Sequence, residues 1–173
     1  MTRPRFSNDR FKGLLFRALN PVYAREPLSG YGAAIHGGRF NKRGVEALYT
    51  SLRLETAIRE ANQVGTLQPT TLVAYKADIG PFFDTRDDVA LARYAMSAED
   101  LADDAWRTKM YAGETVPTHE LAWQLLEDGY AGLLVQSFVP GATVGELNLV
   151  LWQWNKPPFR TLGVIDDEGR LMR

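Results

Sequence analysis

Apolar residues in this chain come in short runs closed by glycine, proline or asparagine, and none approaches the ~20 residues of a membrane helix. Runs of that kind suit the strands of a packed core. Gly13 to Ala18 stops at Asn20-Pro21, and Ala47 to Thr50 follows a glycine-rich stretch. Thr71 to Ala77 lies between Pro69 and Gly80-Pro81, while Ala131 to Ser137 and Leu147 to Trp154 complete the strand set. Helical spacing interrupts these runs. Leu54, Ala57, Ile58 and Ala61 recur at i, i+3, i+4 and i+7, which predicts an amphipathic helix over 52–64. Ser51 is its expected N-cap and Gly65 its stop. Ser97 with Asp100 reads as a capping box opening a helix over 98–108. Thr118 is the expected cap of a further helix with Leu121, Leu125 and Leu126 inward and Gly129 at its end. Asp166-Asp167-Glu168-Gly169 is a turn, expected in a terminal hairpin. Strands and helices follow one another without a βαβ repeat. The expectation is an α+β fold, a single compact domain of short mixed strands with flanking helices over 11–173, after a loosely held polar segment 1–10.

Composition removes several function classes. The 173 residues include no cysteine, so disulfides, thiolate catalysis and cysteine zinc sites are excluded. Two histidines, His36 and His119, are too few and too scattered to suggest a metal site, and none is expected. Lys plus Arg is 20 against 21 for Asp plus Glu, a net charge of −1 without the basic excess of a general nucleic-acid binder. The start MTRPRFSNDRFK lacks a signal peptide's apolar segment. A soluble intracellular protein with no membrane contact is expected.

Chemistry concentrates in 28–60. Residues 28–44 read as a long loop, or loop plus hairpin, whose glycines let backbone approach a ligand. The run Gly30-Tyr31-Gly32 lacks the third spaced glycine and following helix of a dinucleotide fingerprint. Gly37-Gly38 ahead of Arg39 present a planar, permanently charged guanidinium suited to phosphate or carboxylate. Tyr49, ending a short strand, offers a ring for stacking. Glu60 lies at the edge of its helix's apolar stripe, from which a carboxylate can enter a cleft. Each residue also fits an ordinary role: a surface ion pair, a packed tyrosine, a solvated edge. Singly they leave the function open.

Together they form a pattern. Arg17, the run Leu28-Ser29-Gly30-Tyr31-Gly32-Ala33, Gly37-Gly38-Arg39-Phe40-Asn41, Leu48-Tyr49-Thr50-Ser51 and Thr56-Ala57-Ile58-Arg59-Glu60 resemble the RES-domain toxins. Gly132 to Ser137 and Asn148 to Leu151 resemble that family's C-terminal part, so the likeness runs from Phe16 to Val164. Where the family reads Gly-Gly-Arg-Trp-Asn, this chain has Phe40. The Arg, Glu and Ser that name the family fall on Arg39, Glu60 and Ser137.

The resemblance implies a toxin of a bacterial toxin–antitoxin pair, acting in the cytoplasm and silenced by an antitoxin with a helix-turn-helix DNA-binding domain. It also implies a fold similar to ADP-ribosyltransferase toxins and NAD+ as substrate. ADP-ribose would pass to a protein target or, as the alternative, to water or phosphate. On that reading Glu60 stabilises the oxocarbenium-like transition state, Arg39 holds the pyrophosphate and Arg17 is a second clamp. Tyr49 stacks on nicotinamide, and Ser137 and Asn148 bond the dinucleotide or orient Glu60. His36, beside the glycine pair, is either a pocket or a surface residue, and Trp152 and Trp154, alternating along one strand, are candidates to meet an antitoxin. A non-catalytic nucleotide-binding module is the competing class; a ribonuclease is disfavoured by charge and by the missing histidine pair.

Overall fold

The computed structural model of the chain describes residues 9–63, 66–156, 158 and 160–171. Among them are seven strands: β1 Phe11–Leu19, β2 Leu48–Ser51, β3 Thr71–Ile79, β4 Phe82–Asp84, β5 Gly132–Gln136, β6 Leu147–Leu151 and β7 Arg160–Val164. Six α-helices lie between them: α1 Tyr31–His36, α2 Leu54–Ala61, α3 Asp88–Ala92, α4 Ala98–Ala102, α5 Trp106–Ala112 and α6 Pro117–Glu127. The expected α+β architecture is what forms. The strands make one sheet in the order β4-β5-β6-β2-β1-β3-β7, antiparallel except for the parallel β4–β5 pair.

Period-two alternation divides the core between the two faces of this sheet. Leu147, Leu149 and Leu151 of β6 join Leu15, Leu48, Tyr75 and Leu134 in one cluster. Val150, with Leu133 and Val135 of β5, turns the other way and meets Leu91, Leu101, Leu121 and Leu125 from the helices. Polar residues on this second face, where the helices do not cover it, therefore border a concavity.

Several local expectations give way to tertiary structure. The 28–44 stretch contains the six-residue helix α1 and a bridge between Gly38 and Asn41. Ser51 does not cap α2; it ends β2, opposite Asn148 of β6, and Arg53 takes the N-cap position with no side-chain bond. The ladder's claim on Ser51 outweighs the cap. The helix ends at Ala61, and Gly65 lies outside the described residues. The capping box of Ser97 and Asp100 forms, but the helix expected over 98–108 is two, because Asp103 leaves the helical region at ψ 113°. Thr118 is not the cap of α6: Val116 holds that position with Pro117 in the first turn, and the Thr118 hydroxyl donates to the Arg39 carbonyl at 2.5 Å. Leu121 and Leu125 are buried as expected, and Leu126 is partly buried. The Asp166–Gly169 turn closes through the Gly169 N–H, and among the described residues no second strand of a hairpin follows it. In the polar segment 1–10, residues 1–8 lie outside the described residues, while the Arg10 guanidinium holds Asp78 at 2.5 Å. Trp152 and Trp154 are loop ties and not outward anchors, since their indole N–H groups donate to the carbonyls of Phe40 and Leu28 at 2.9 and 3.0 Å.

Candidate functional site

A cleft of 760 Å³ opens on the helix-covered face of the sheet, within the ~300–1,000 Å³ usual for small-molecule sites. Arg17, Arg39, Tyr49, Glu60 and Asn148 border it, together with Ser51, Trp106, Arg107 and Phe138. Residues far apart in the chain thus meet at one concavity.

Glu60 sits in the last turn of α2, aimed at the sheet. One carboxylate oxygen accepts from the Ser137 hydroxyl at 2.6 Å and from the Asn148 amide at 2.5 Å; the other accepts from Gln63 at 2.5 Å. Asn148 is fixed in turn, because its carbonyl oxygen accepts from the Ser51 hydroxyl at 2.7 Å across the β2–β6 pair. Ser137 follows directly on β5, is buried, and also receives the Val139 N–H at 3.3 Å. It touches Glu60 and not the cleft itself. A chain of donors from adjacent strands therefore holds one carboxylate still.

A second fastening lies behind it. Arg59, the neighbour of Glu60, pairs with Glu146 and donates to the Pro140 carbonyl at 3.0 Å. Glu146 also accepts the Thr143 N–H at 2.7 Å, and its backbone carbonyl accepts the Ser137 N–H at 2.8 Å. The Thr143 N–H, and after it Arg59, holds the Glu146 carboxyl below its usual range against the opposing effect of burial. Helix and loop are locked together on either side of the Glu60–Ser137 contact.

The Gly37-Gly38 pair meets a packing requirement. Gly37 has φ +73°, and a Cβ on Gly38 would strike the Tyr49 hydroxyl and the Asn41 side chain. Tyr49 donates to Asn41 at 2.7 Å and accepts from the Phe40 N–H at 3.0 Å, which leaves its ring to border the cleft. Burial pushes its phenol pKa well up, outweighing the Phe40 N–H and the Arg39 charge, so it is a neutral ring and not a base. Asn41, 1% exposed, donates to the carbonyls of Ala33 and Val45 at 2.9 Å and gathers the whole loop.

Arg39 is tightly held. Its Nη1 donates to the carbonyls of Leu101 and Asp103 at 3.0 and 2.9 Å, and Nη2 to Asp104 at 3.1 Å. Two carbonyls at the end of α4 thus find their donors in a side chain, which is why the helix expected there breaks. The guanidinium carbon lies 4.4 Å from the Phe138 ring centroid and 5.9 Å from that of Trp106. Arg17 belongs to the margin: alternation along β1 sets it with Leu15 and Leu19, and its Nη1 is 3.4 Å from the Pro27 and Ser29 carbonyls. His36, exposed at the end of α1, is not among the cleft residues.

Sequence reasoning gave no site role to Asn41 and Ser51, although both lie in the quoted motifs, and overlooked His119, Trp106 and Arg107. The signal for Asn41 was in the run Gly37 to Asn41, where a buried amide after a glycine pair marks a tied loop. His119, buried on α6, bonds the Gly38 carbonyl at 2.7 Å, and nothing local announces that contact. Among the described residues no cluster of three metal-ligating side chains occurs, and no helix is long and apolar enough to cross a membrane.

Comparison with known proteins bears on the fold and the family. A solved structure described as the M. tuberculosis MbcT–MbcA toxin–antitoxin complex is similar at a TM-score of 0.64 and 16% identity, over 91% of this chain and 83% of that one. At that identity the likeness is one of fold. No curated protein matches by sequence. The family model described as the RES domain matches residues 14–173, nearly the whole chain and every cleft residue named above, and the chain belongs to the RES domain family.

Proposed function

We propose that this protein is the toxin of a toxin–antitoxin pair and that it cleaves the nicotinamide–ribose bond of NAD+, passing ADP-ribose to a protein side chain. The observation that carries the proposal is the anchored carboxylate: Glu60, held by Ser137 and Asn148 at 2.6 and 2.5 Å, borders a cleft of dinucleotide size. As the bond to nicotinamide lengthens, positive charge spreads over the ribose, and a preorganised carboxylate beside it lowers the barrier. Nicotinamide leaves with the bonding pair as a neutral base, so no strong general acid is needed. The acceptor nucleophile then bonds to the anomeric carbon and gives its proton to Glu60 or to water.

The other residues divide the remaining work. The Tyr49 ring, its hydroxyl already engaged, stacks on nicotinamide. Arg39 turns the N–H groups not bound to the α4–α5 corner toward the pyrophosphate, and Arg17 orders the 27–29 turn at the rim. Phe40, buried and lining the cleft, stands where the family has tryptophan, and its carbonyl accepts from the Trp152 indole. The fold shared with a toxin from a toxin–antitoxin complex supports a cognate antitoxin as partner, of the helix-turn-helix kind that the family resemblance implies.

The test is Glu60→Gln, which keeps an oxygen to accept from Ser137 and Asn148 but removes the charge. Nicotinamide release from NAD+ should fall by roughly 10²–10³-fold at unchanged melting temperature. Cellular NAD+ should fall on induction of the wild type and not of the variant. Full activity in Glu60→Gln removes the proposed role. Labelled NAD+ in cell extract identifies the acceptor: a labelled protein band supports transfer, and free ADP-ribose alone replaces it with hydrolysis.

A further inference from the structure

We propose that Arg107 is a second cation, beside Arg39, that seats the phosphates of the cleft's ligand; this assignment rests on the dinucleotide reading above. Three arginines border the cleft, and they differ in what occupies them. Arg17 faces the carbonyls of Pro27 and Ser29. Arg39 spends both hydrogens of Nη1 on the carbonyls of Leu101 and Asp103 and one of Nη2 on Asp104. Arg107 has no carboxylate or carbonyl partner among the described residues, and its guanidinium carbon lies 4.9 Å from the centroid of the Trp106 ring.

That arrangement orients a cation without using up its donors. An indole face attracts a guanidinium and fixes its plane, while the N–H groups, which lie in that plane, remain directed outward. Five N–H donors in a rigid fork match the oxygens of a phosphate, and arginine is the residue best fitted to bind them in pairs. Trp106 gathers two guanidinium groups, since Arg39 lies against the same ring. Their mutual repulsion favours an anion between or beside them. Asp104, on the same wall, does little to cancel it: its side chain is 93% exposed and already paired with Arg39. Glu60, the other carboxylate of the cleft, is taken up by Ser137, Asn148 and Gln63. The ligand class this favours is a pyrophosphate-bearing nucleotide and not an uncharged nucleoside.

The experiment is calorimetric titration of the full chain with ADP-ribose, which carries the pyrophosphate without nicotinamide, alongside nicotinamide release from NAD+. Arg107→Ala should weaken ADP-ribose binding about tenfold, with part of the loss restored in Arg107→Lys, which keeps the charge but not the fork. Arg170→Ala, an equal loss of charge at an exposed position outside the cleft, should bind as the wild type does. Raising the salt should weaken the wild type more than Arg107→Ala. Equal dissociation constants in wild type and Arg107→Ala, or no binding of ADP-ribose by the wild type, overturn the assignment. If ADP-ribose binds with the expected dependence on Arg107 while NAD+ releases no nicotinamide, the phosphate seat stands and the catalytic reading falls. If nicotinamide is released with the same KM in both proteins, the reverse holds.

Discussion

The cleft has one wall of sheet and one of short helices, and the two are held by different forces. On the sheet wall, Tyr49, Ser51, Val135, Asn148 and Val150 stand on paired strands whose opposite face is packed with leucines. The helical wall is formed by α5, of seven residues, and the corner before it; α4, which leads into that corner, and α3 have five residues each, lengths at which a helix has little stability of its own. What keeps them in place is a capping box at Ser97, an Asp103–Lys109 pair at 2.6 Å, the buried Leu91 and Leu101, and the Arg39 side chain. The Glu60 carboxylate leans on the sheet through Ser137 and Asn148, while Arg107 rides on α5, in the part that can adjust.

Truncating one leucine on each wall breaks or sharpens this comparison most strongly. Leu134 of β5 and Leu101 of α4 are 0% and 4% exposed, so their lost transfer energies are similar. Leu134 lies between two strands that cannot close on a void, and Leu134→Ala should cost about 4–5 kcal/mol, the upper part of the range for such changes. Leu101 is carried by a one-turn helix that can settle inward, and Leu101→Ala should cost about 2–3 kcal/mol. Urea midpoints at constant slope give both numbers. Equal losses would mean that the helical wall is as rigid as the sheet.

Legibility in the sequence follows the same division. Strands β1, β2, β3, β5 and β6 were readable as short apolar runs between breakers, and helix α2 because its apolar residues repeat at three to four, patterns that survive whatever they pack against. The glycine pair, Arg39, Tyr49 and Glu60 stood out as residue types, and only the family resemblance joined them to one another. β4, α3 and β7 had no such period: Phe82–Asp84 is three residues long and takes its strand form from pairing with β5. The splitting of 98–108 was equally hidden, since the donor that ends α4 comes from Arg39, more than 60 residues earlier. Ser51 and Thr118 show the matching error. Both carry good capping chemistry, and both give their hydroxyls to a distant strand or loop instead.

A smaller effect belongs to the helical wall alone. In Ser97→Ala the Asp100 N–H loses its acceptor and the Asp100 carboxylate loses the Ser97 hydroxyl, although it can keep the Ser97 N–H at 2.8 Å. The loss should be about 1 kcal/mol. Because α4 is short, it should appear as faster amide exchange from Leu101 to Lys109 and only a slight fall in melting temperature, with β5 and β6 amides unchanged. A uniform rise in exchange across both walls would show that the helices unfold only with the sheet.

The smallest effect tests the joint between the walls, where His119 of α6 reaches the Gly38 carbonyl. A carbonyl accepts, so Nε2 carries the hydrogen of this bond, in the neutral ring and in the charged one alike. Burial lowers its pKa below the ordinary histidine value; the Gly38 contact and Glu120 oppose that shift, and Lys42 adds to it. A folded pKa below the unfolded one means that the unfolded chain binds the proton more readily. The stability His119 contributes is therefore present above about pH 6.5, the unfolded value, and is lost as the pH falls through the lower folded value. His119→Gln keeps a donor for Gly38 but does not titrate. Between pH 7.5 and pH 5 the wild type should lose more stability than this variant, and the gap between their urea midpoints should close or reverse at the acid end. Parallel curves over that range would mean that His119 is as well hydrated in the fold as in the unfolded chain, and that the glycine pair beneath Arg39 depends on Asn41 and Tyr49 instead.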